Sequence, residues 1–252
     1  MENGTVTVVK ENGIARITFF HPQSNSLPGA LLHELAANIE QTGKDSEVKV
    51  IILQSEGEKA FCAGASFDEL VAIQNLEEGK HFFSGFALVI NALRKVPQLT
   101  IGRVHQKAVG GGVGIASAVD YCFATTKAQV KLSELVVGIG PFVVGPAVQR
   151  KVGVSAMSHL AINASEWQSA EWAREKGLYA EVLEGEEEMD YAINTLAEKL
   201  TNSNPEAMAE LKRIFWQGTE HWDELLVERA GISGRLVLSD FTRASIAKFK
   251  AK

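Results

Sequence analysis

Apolar and polar positions alternate over residues 5–10 and again over 14–20, and Asn12-Gly13 stands between the two runs. Period-two alternation around that pair predicts a β-hairpin at the start of the chain. Behind Pro28, the residues Leu31, Leu32, Leu35, Ala36 and Ile39 recur with helical spacing, and the helix is predicted to end near Gly43. Residues 48–53 form a mainly β-branched apolar run, interrupted only by Lys49, the pattern of a strand buried on both faces. Ser66 followed by Glu69 matches a capping box and starts a short helix at Phe67. A helix over 82–96 is stopped by Pro97, a strand covers 99–104, small residues make a helix of 115–118, and 119–124 reads as a further strand. This alternation predicts helices covering a sheet. Beyond Gly153 the pattern is helix after helix, at 155–162, 168–175, 187–200, 205–217 and 223–238, with no second strand-rich core. All four tryptophans, Trp167, Trp172, Trp216 and Trp222, fall in this stretch and predict large buried contacts there or between subunits.

At 252 residues, 46 % hydrophobic and 22 % charged, the composition is that of an ordinary globular chain with room for a sizeable core. No apolar run approaches membrane-spanning length, and the first residues lack the basic and apolar regions of a secretory signal, so a cytoplasmic setting without membrane insertion is expected. A formal charge of −6 argues against general nucleic-acid binding. Cys62 and Cys122 lack partners at metal-ligand spacing and read as small core residues; no metal is expected. His33, His81, His159 and His221 lie on helical stretches without a ligand pattern and read as solvated or packing residues, whereas His105 lies close to a glycine turn.

Candidate chemistry gathers in two small-residue turns, Phe61-Cys62-Ala63-Gly64-Ala65-Ser66 and Val109-Gly110-Gly111-Gly112-Val113-Gly114, and in the later carboxylate Glu134. Each turn leads from an apolar stretch into a helix, where unpaired backbone N–H groups collect. Glycine and alanine let backbone approach a ligand closely, and a pair of N–H donors can hold a developing oxyanion, each typically worth about 3–4 kcal/mol of barrier. The N–H groups of Ala65 and Gly111 are the candidates. Singly, each motif has a plainer reading: a tight turn, a close-packing or phosphate-binding glycine cluster, and a capping glutamate with Ser133 as cap. The dinucleotide fingerprint fails at Ile115, and no phosphate-loop Gly-Lys-Ser/Thr is present. Glu134 becomes an acid/base candidate in the company of the two turns, a carboxylate in an apolar segment with its pKa open to being raised.

Together these motifs resemble the enoyl-CoA hydratase/isomerase (crotonase) family: its first signature resembles Ala60-Phe61-Cys62-Ala63-Gly64-Ala65, its second the triple-glycine turn, and its third Ser133-Glu134 with Gly138 and Pro141 downstream. The resemblance implies an α/β fold, a crotonase-like spiral of β-β-α units over residues 1–195 with a C-terminal helical trimerisation region at 196–252. It implies a homotrimer or dimer of trimers acting on an acyl-CoA thioester, with no cofactor beyond the coenzyme A carried by the substrate. It places the oxyanion donors at Ala65 and Gly111 and the acid/base at Glu134. Ala63, Ala65, Ser66, Phe67 and Asp68 would lie along the thioester and pantetheine, with Lys59 near a CoA phosphate, where an exposed lysine is equally a solubility residue; the C-terminal Lys248, Lys250 and Lys252 could approach the same phosphates, against the plainer reading of a solvated basic tail.

Hydratases of the best-known type carry two glutamates, and the first falls here on Gly114. The aspartate that often follows the first motif is Ser66, and the glycine-rich stretch after the proline is Phe142-Val143-Val144-Gly145, which predicts a more apolar acyl pocket. Glycine at the first glutamate position with Ser-Glu kept at the third motif resembles the methylglutaconyl-CoA hydratase-like branch, seen in leucine and isovalerate catabolism. The activity implied is addition of water to a 2-enoyl-CoA, with 3-methylglutaconyl-CoA as the specific candidate, whose distal carboxylate would call for a cation among Arg103, Lys107 and Arg150. The alternatives are double-bond isomerisation, decarboxylation of an acyl-CoA, and a CoA-ester-binding protein without catalysis.

Overall fold

The computed structural model describes residues 4–250. It opens with β1 (Thr5–Glu11) and β2 (Ile14–Phe20), paired antiparallel from Thr5 opposite Phe20 to Glu11 opposite Ile14. Asn12 and Gly13 both hold positive φ, 51° and 79°, as a two-residue hairpin turn with the twist of its strands requires. Then follow β3 (Ser26–Leu27), α1 (Gly29–Gly43), β4 (Val50–Ser55), β5 (Gly64–Ala65), α2 (Phe67–Ala72), α3 (Leu76–Lys95), β6 (Leu99–Val104), β7 (Ala108–Val109), α4 (Gly111–Ala118), β8 (Tyr121–Thr125) and β9 (Val130–Lys131). A 3-10 turn (Glu134–Val137) leads to α5 (Gly145–Ile162), α6 (Ala170–Glu175), β10 (Glu181–Leu183), α7 (Glu186–Thr201), α8 (Pro205–Phe215), α9 (Trp222–Leu236) and α10 (Asp240–Lys250).

The main sheet has the order β1-β2-β4-β6-β8-β10, parallel beyond the hairpin, and the two-residue strands pair separately as β3-β5 and β7-β9. Long strand, short strand and helix therefore repeat, and each repeat lays its long strand beside the previous one. Val50, Ile51, Ile52 and Leu53 are fully buried because both faces of the sheet are covered. On one face Ile51 and Leu53 join Leu35, Ile39, Val89 and Leu93 of α1 and α3; on the other Val50 and Ile52 meet Met189, Ile193 and Ala197 of α7. Cys62 and Cys122 are buried in the first cluster as unpaired thiols, and burial pushes both up to about 12.

Several boundaries differ from the sequence pattern. α3 starts at Leu76, six residues before the predicted Phe82, because Asn75 caps it by accepting from the Glu78 N–H at 3.0 Å although the first turn carries no apolar stripe. α4 begins at Gly111, and α5 at Gly145, broken at Gly153 by φ 75° and ψ 166°. β10 interrupts the region predicted to be wholly helical; three residues at a sheet edge are too few to show a period. The division drawn at residue 195 falls inside α7, and Trp216, Trp222, Leu226 and Ala230 from beyond it are buried in the main core.

Candidate active site

Short strands bring the three motifs together. The Val109 N–H donates to the Cys62 carbonyl at 2.9 Å, and the Gly110 N–H donates to the Lys131 carbonyl at 2.9 Å, so the triple-glycine turn is tied to the first motif on one side and to the segment leading into Glu134 on the other. Close approach explains the small residues. A Cβ on Gly112 would lie 2.5 Å from the Cys62 carbonyl oxygen, and one on Gly64, itself at φ 94°, would lie 3.3 Å from the Val109 oxygen and 3.8 Å from the Gly111 nitrogen. Gly111 is the first residue of α4, so its N–H belongs to the turn that has no partner within the helix.

At this junction lies a cavity of about 180 Å³. Ala63, Ala65, Phe67, Gly111 and Glu134 line it. Ser66 stands behind the lining, buried, its hydroxyl capping α2 by accepting from the Glu69 N–H at 3.4 Å. Asp68 and Lys59 are both exposed and neither is among the residues lining the cavity; Asp68 accepts from Gln23 Nε2 at 3.3 Å. Lys248 is exposed on α10, the side chain of Lys250 is not described, and Lys252 lies outside the described residues.

Glu134 opens the 3-10 turn, and Ser133 precedes it without a side-chain capping bond. Its Oε1 comes to 3.0 Å from where a Cβ on Gly110 would stand, a place left open by a glycine with φ 52°. Glu134 is half-buried as a whole residue, but its Oε2 is enclosed and has no hydrogen-bond partner among the described residues. Burial is the main influence on this carboxyl and raises its pKa from 4.5 to about 7, against a smaller lowering from its own backbone N–H. A buried carboxyl that titrates near neutrality can both take and return a proton.

The remaining wall is aromatic and aliphatic. Phe82, Phe83 and Phe86 come from α3, and Phe142 and Val144 from the segment before α5. The sequence reading missed the α3 residues, although Phe82 and Phe86 at i, i+4 spacing mark one helix face. Among the described residues lining the cavity, Glu134 is the only one with a charged side chain. Arg103 is instead bound to Asp190 and Glu186, Lys107 lies over the Trp167 ring at 4.9 Å, and Arg150 over Trp216 at 5.1 Å. His105 is likewise away from the glycine turn, its Nε2 2.6 Å from the Gly57 carbonyl oxygen. His33 stacks on His81, and His159 on Trp172. Among the described residues no three His, Cys, Asp or Glu side chains form a metal-binding group, and no helix is long and apolar enough to cross a membrane.

Residues 9–238 match the family described as enoyl-CoA hydratase/isomerase. The chain belongs to that family. Members of the enoyl-CoA hydratase/isomerase family are enzymes, and this one is similar to the human mitochondrial methylglutaconyl-CoA hydratase, 32 % identical over 78 % of this chain and 58 % of the human protein. It is also similar to the short-chain-enoyl-CoA hydratase of Clostridium acetobutylicum, 31 % identical over 87 % of this chain and 84 % of that one. The fold matches an enoyl-CoA hydratase from Bacillus halodurans with a TM-score of 0.89, covering 96 % of this chain and 99 % of the other at 20 % identity. Within the family's α/β fold, Gly114 is the position where the resemblance called for a first glutamate. A Cβ there would lie 2.5 Å from Val144 Cγ1 and 2.7 Å from Val144 Cβ, so a valine fills that space.

Proposed function

We propose that the protein adds water to a short, apolar 2-enoyl-CoA thioester, or removes it, with Glu134 as the sole acid/base. The N–H groups of Ala65 and Gly111 hold the thioester oxygen as it becomes an enolate, an electrostatic contribution that needs no side chain. A water beside Glu134 gives its proton to the carboxylate while its oxygen bonds to Cβ; the same carboxyl then returns a proton to Cα. The observation that carries this reading is the enclosed, unpartnered Oε2 of Glu134 at the junction of the two turns. An apolar acyl group is favoured over 3-methylglutaconyl because the described lining is aromatic and aliphatic around Glu134, with no cation for a distal carboxylate among the described residues that form it.

Isomerisation of the double bond is the second reading, and the valine against Gly114 favours it: one carboxyl suffices to move a proton between carbons. The test follows crotonyl-CoA and a 3-enoyl-CoA by enoyl absorbance and product mass. Gain of one water supports hydration, unchanged mass with a shifted double bond supports isomerisation, and turnover retained in Glu134→Gln overturns both. The helices beyond residue 195 we read as an assembly region for trimers. Leu211, Ile214 and Phe215 of α8 are 46, 54 and 48 % exposed, apolar positions suited to a partner.

A further inference from the structure

We propose that Val144 sets the depth of the acyl cavity by standing on the bare Cα of Gly114; this rests on the thioester reading above. Val144 belongs to the cavity wall and is only 4 % exposed. Its far side is fixed by α4, every residue of which is buried. At Gly114 there is no room even for a methyl, since an added Cβ would meet Val144 Cβ at 2.7 Å and Cγ1 at 2.5 Å. These are atoms of a β-branched side chain, stiff at χ1, so the valine cannot swing aside as a long side chain would. The valine is therefore seated against backbone on one side and faces the cavity on the other. Gly114 and Val144 act as one unit: the glycine makes the recess, and the valine fills it up to the cavity wall.

Shortening the valine exposes the recess to the acyl chain. Val144→Ala removes two methyl groups whose place a longer acyl chain can take. Each further methylene buried is worth about a fourfold gain in binding. Gly114→Ala works in the opposite sense, because the new methyl displaces the valine toward the cavity.

Binding of the saturated thioesters butyryl-, hexanoyl- and octanoyl-CoA, measured by calorimetry on the full chain, tests the proposal without relying on turnover. Val144→Ala is expected to improve hexanoyl-CoA relative to butyryl-CoA by about 4- to 15-fold over the parent protein. Gly114→Ala is expected to shift preference toward butyryl-CoA. Should Gly114→Ala fail to fold, the double variant Gly114→Ala/Val144→Gly is expected to fold again, since with the valine Cβ also gone the nearest of its atoms to the new methyl is the Cα at 3.6 Å. Chain-length profiles that stay parallel between parent and Val144→Ala overturn the role of the valine alone. Failure of all three thioesters to bind the parent overturns the thioester reading, and the valine's role with it.

Discussion

Glu134 pays for its position with stability, and the sign of that penalty can be measured. Its carboxyl titrates near 7 when folded and near 4.5 when exposed, so the folded protein holds a proton through the interval in which the unfolded chain has released it. Stability from this group is present at pH 4, falls as pH rises from about 4.5 to 7, and is flat above, a total of about 3 kcal/mol. Glu134→Gln carries no such penalty and is expected to be more stable than the parent by up to about 3 kcal/mol at pH 8, with the difference closing at pH 4. Urea unfolding at the two pH values checks this; an equal difference at both would mean that the carboxyl is not buried as described. Activity should run against stability. The base form is needed to take a proton, so kcat/KM of the parent is expected to rise with pH through about 7, and Glu134→Gln to lose activity by at least about a hundredfold. A profile flat from pH 5 to 9 would remove Glu134 from the proton-transfer step.

At the scale of elements, two glycines fix how α9 meets α3. A Cβ on Gly234 would lie 2.7 Å from the Lys80 nitrogen and 2.9 Å from the Gly79 carbonyl carbon, and the neighbours are backbone, which cannot yield. Gly234→Ala is expected to cost about 1–3 kcal/mol in urea unfolding. It should also disturb the cavity through the adjacent Ser233, which lines it. Gly231 on the same helix is the control: nothing lies within 4 Å of its added Cβ, and Gly231→Ala is expected to be neutral or to stabilise by about 0.5–1 kcal/mol. Equal effects at the two positions would mean that the helices do not cross closely at 234. This crossing was not legible in the sequence, where glycines in a helical stretch carry no sign of what faces them. The hairpin, the strand over Val50 to Leu53 and the Ser66 cap were legible because periodicity and local hydrogen bonds determine them. The candidate site was legible in the same uneven way. Ala65, Gly111 and Glu134 follow from backbone chemistry and order along the chain. Phe86 enters through tertiary packing, and Val144, expected in the acyl pocket from the stretch after the proline, gains its contact with Gly114 only in the fold; Lys59 and Asp68 are exposed outside the cavity lining.

For the molecule as a whole, the decisive question is whether the helices after residue 195 fold with the sheet or as a separate layer, and Asp120 ties the two together. Its Oδ2 accepts from the Thr100 N–H at 2.8 Å and hydroxyl at 2.9 Å and lies 2.9 Å from Lys212 Nζ, while Oδ1 accepts from Trp216 Nε1 at 2.9 Å. Lys212 also donates to the Gln98 carbonyl at 2.8 Å, so α8 is bonded to the segment entering β6 and to the turn before β8. Side chains of Lys212 and Asp120 are 3 and 6 % exposed, and burial lowers the lysine pKa against the pull of Asp120. Removing one member of such a pair leaves the other buried without its counter-charge, which typically costs about 3–5 kcal/mol. Lys212→Met is therefore expected to lower stability by that amount, and adding Asp120→Asn to recover part of it, since the uncompensated carboxylate is then gone. If the C-terminal helices fold with the sheet, Lys212→Met shifts one cooperative transition, and hydrogen exchange speeds up in β6 and β8 as well as in α8. A change confined to α8 with the sheet amides untouched would show instead a helical layer that opens on its own, and Trp216 and Trp222, packed edge to face at 5.8 Å within the main core, would have to leave that core with it.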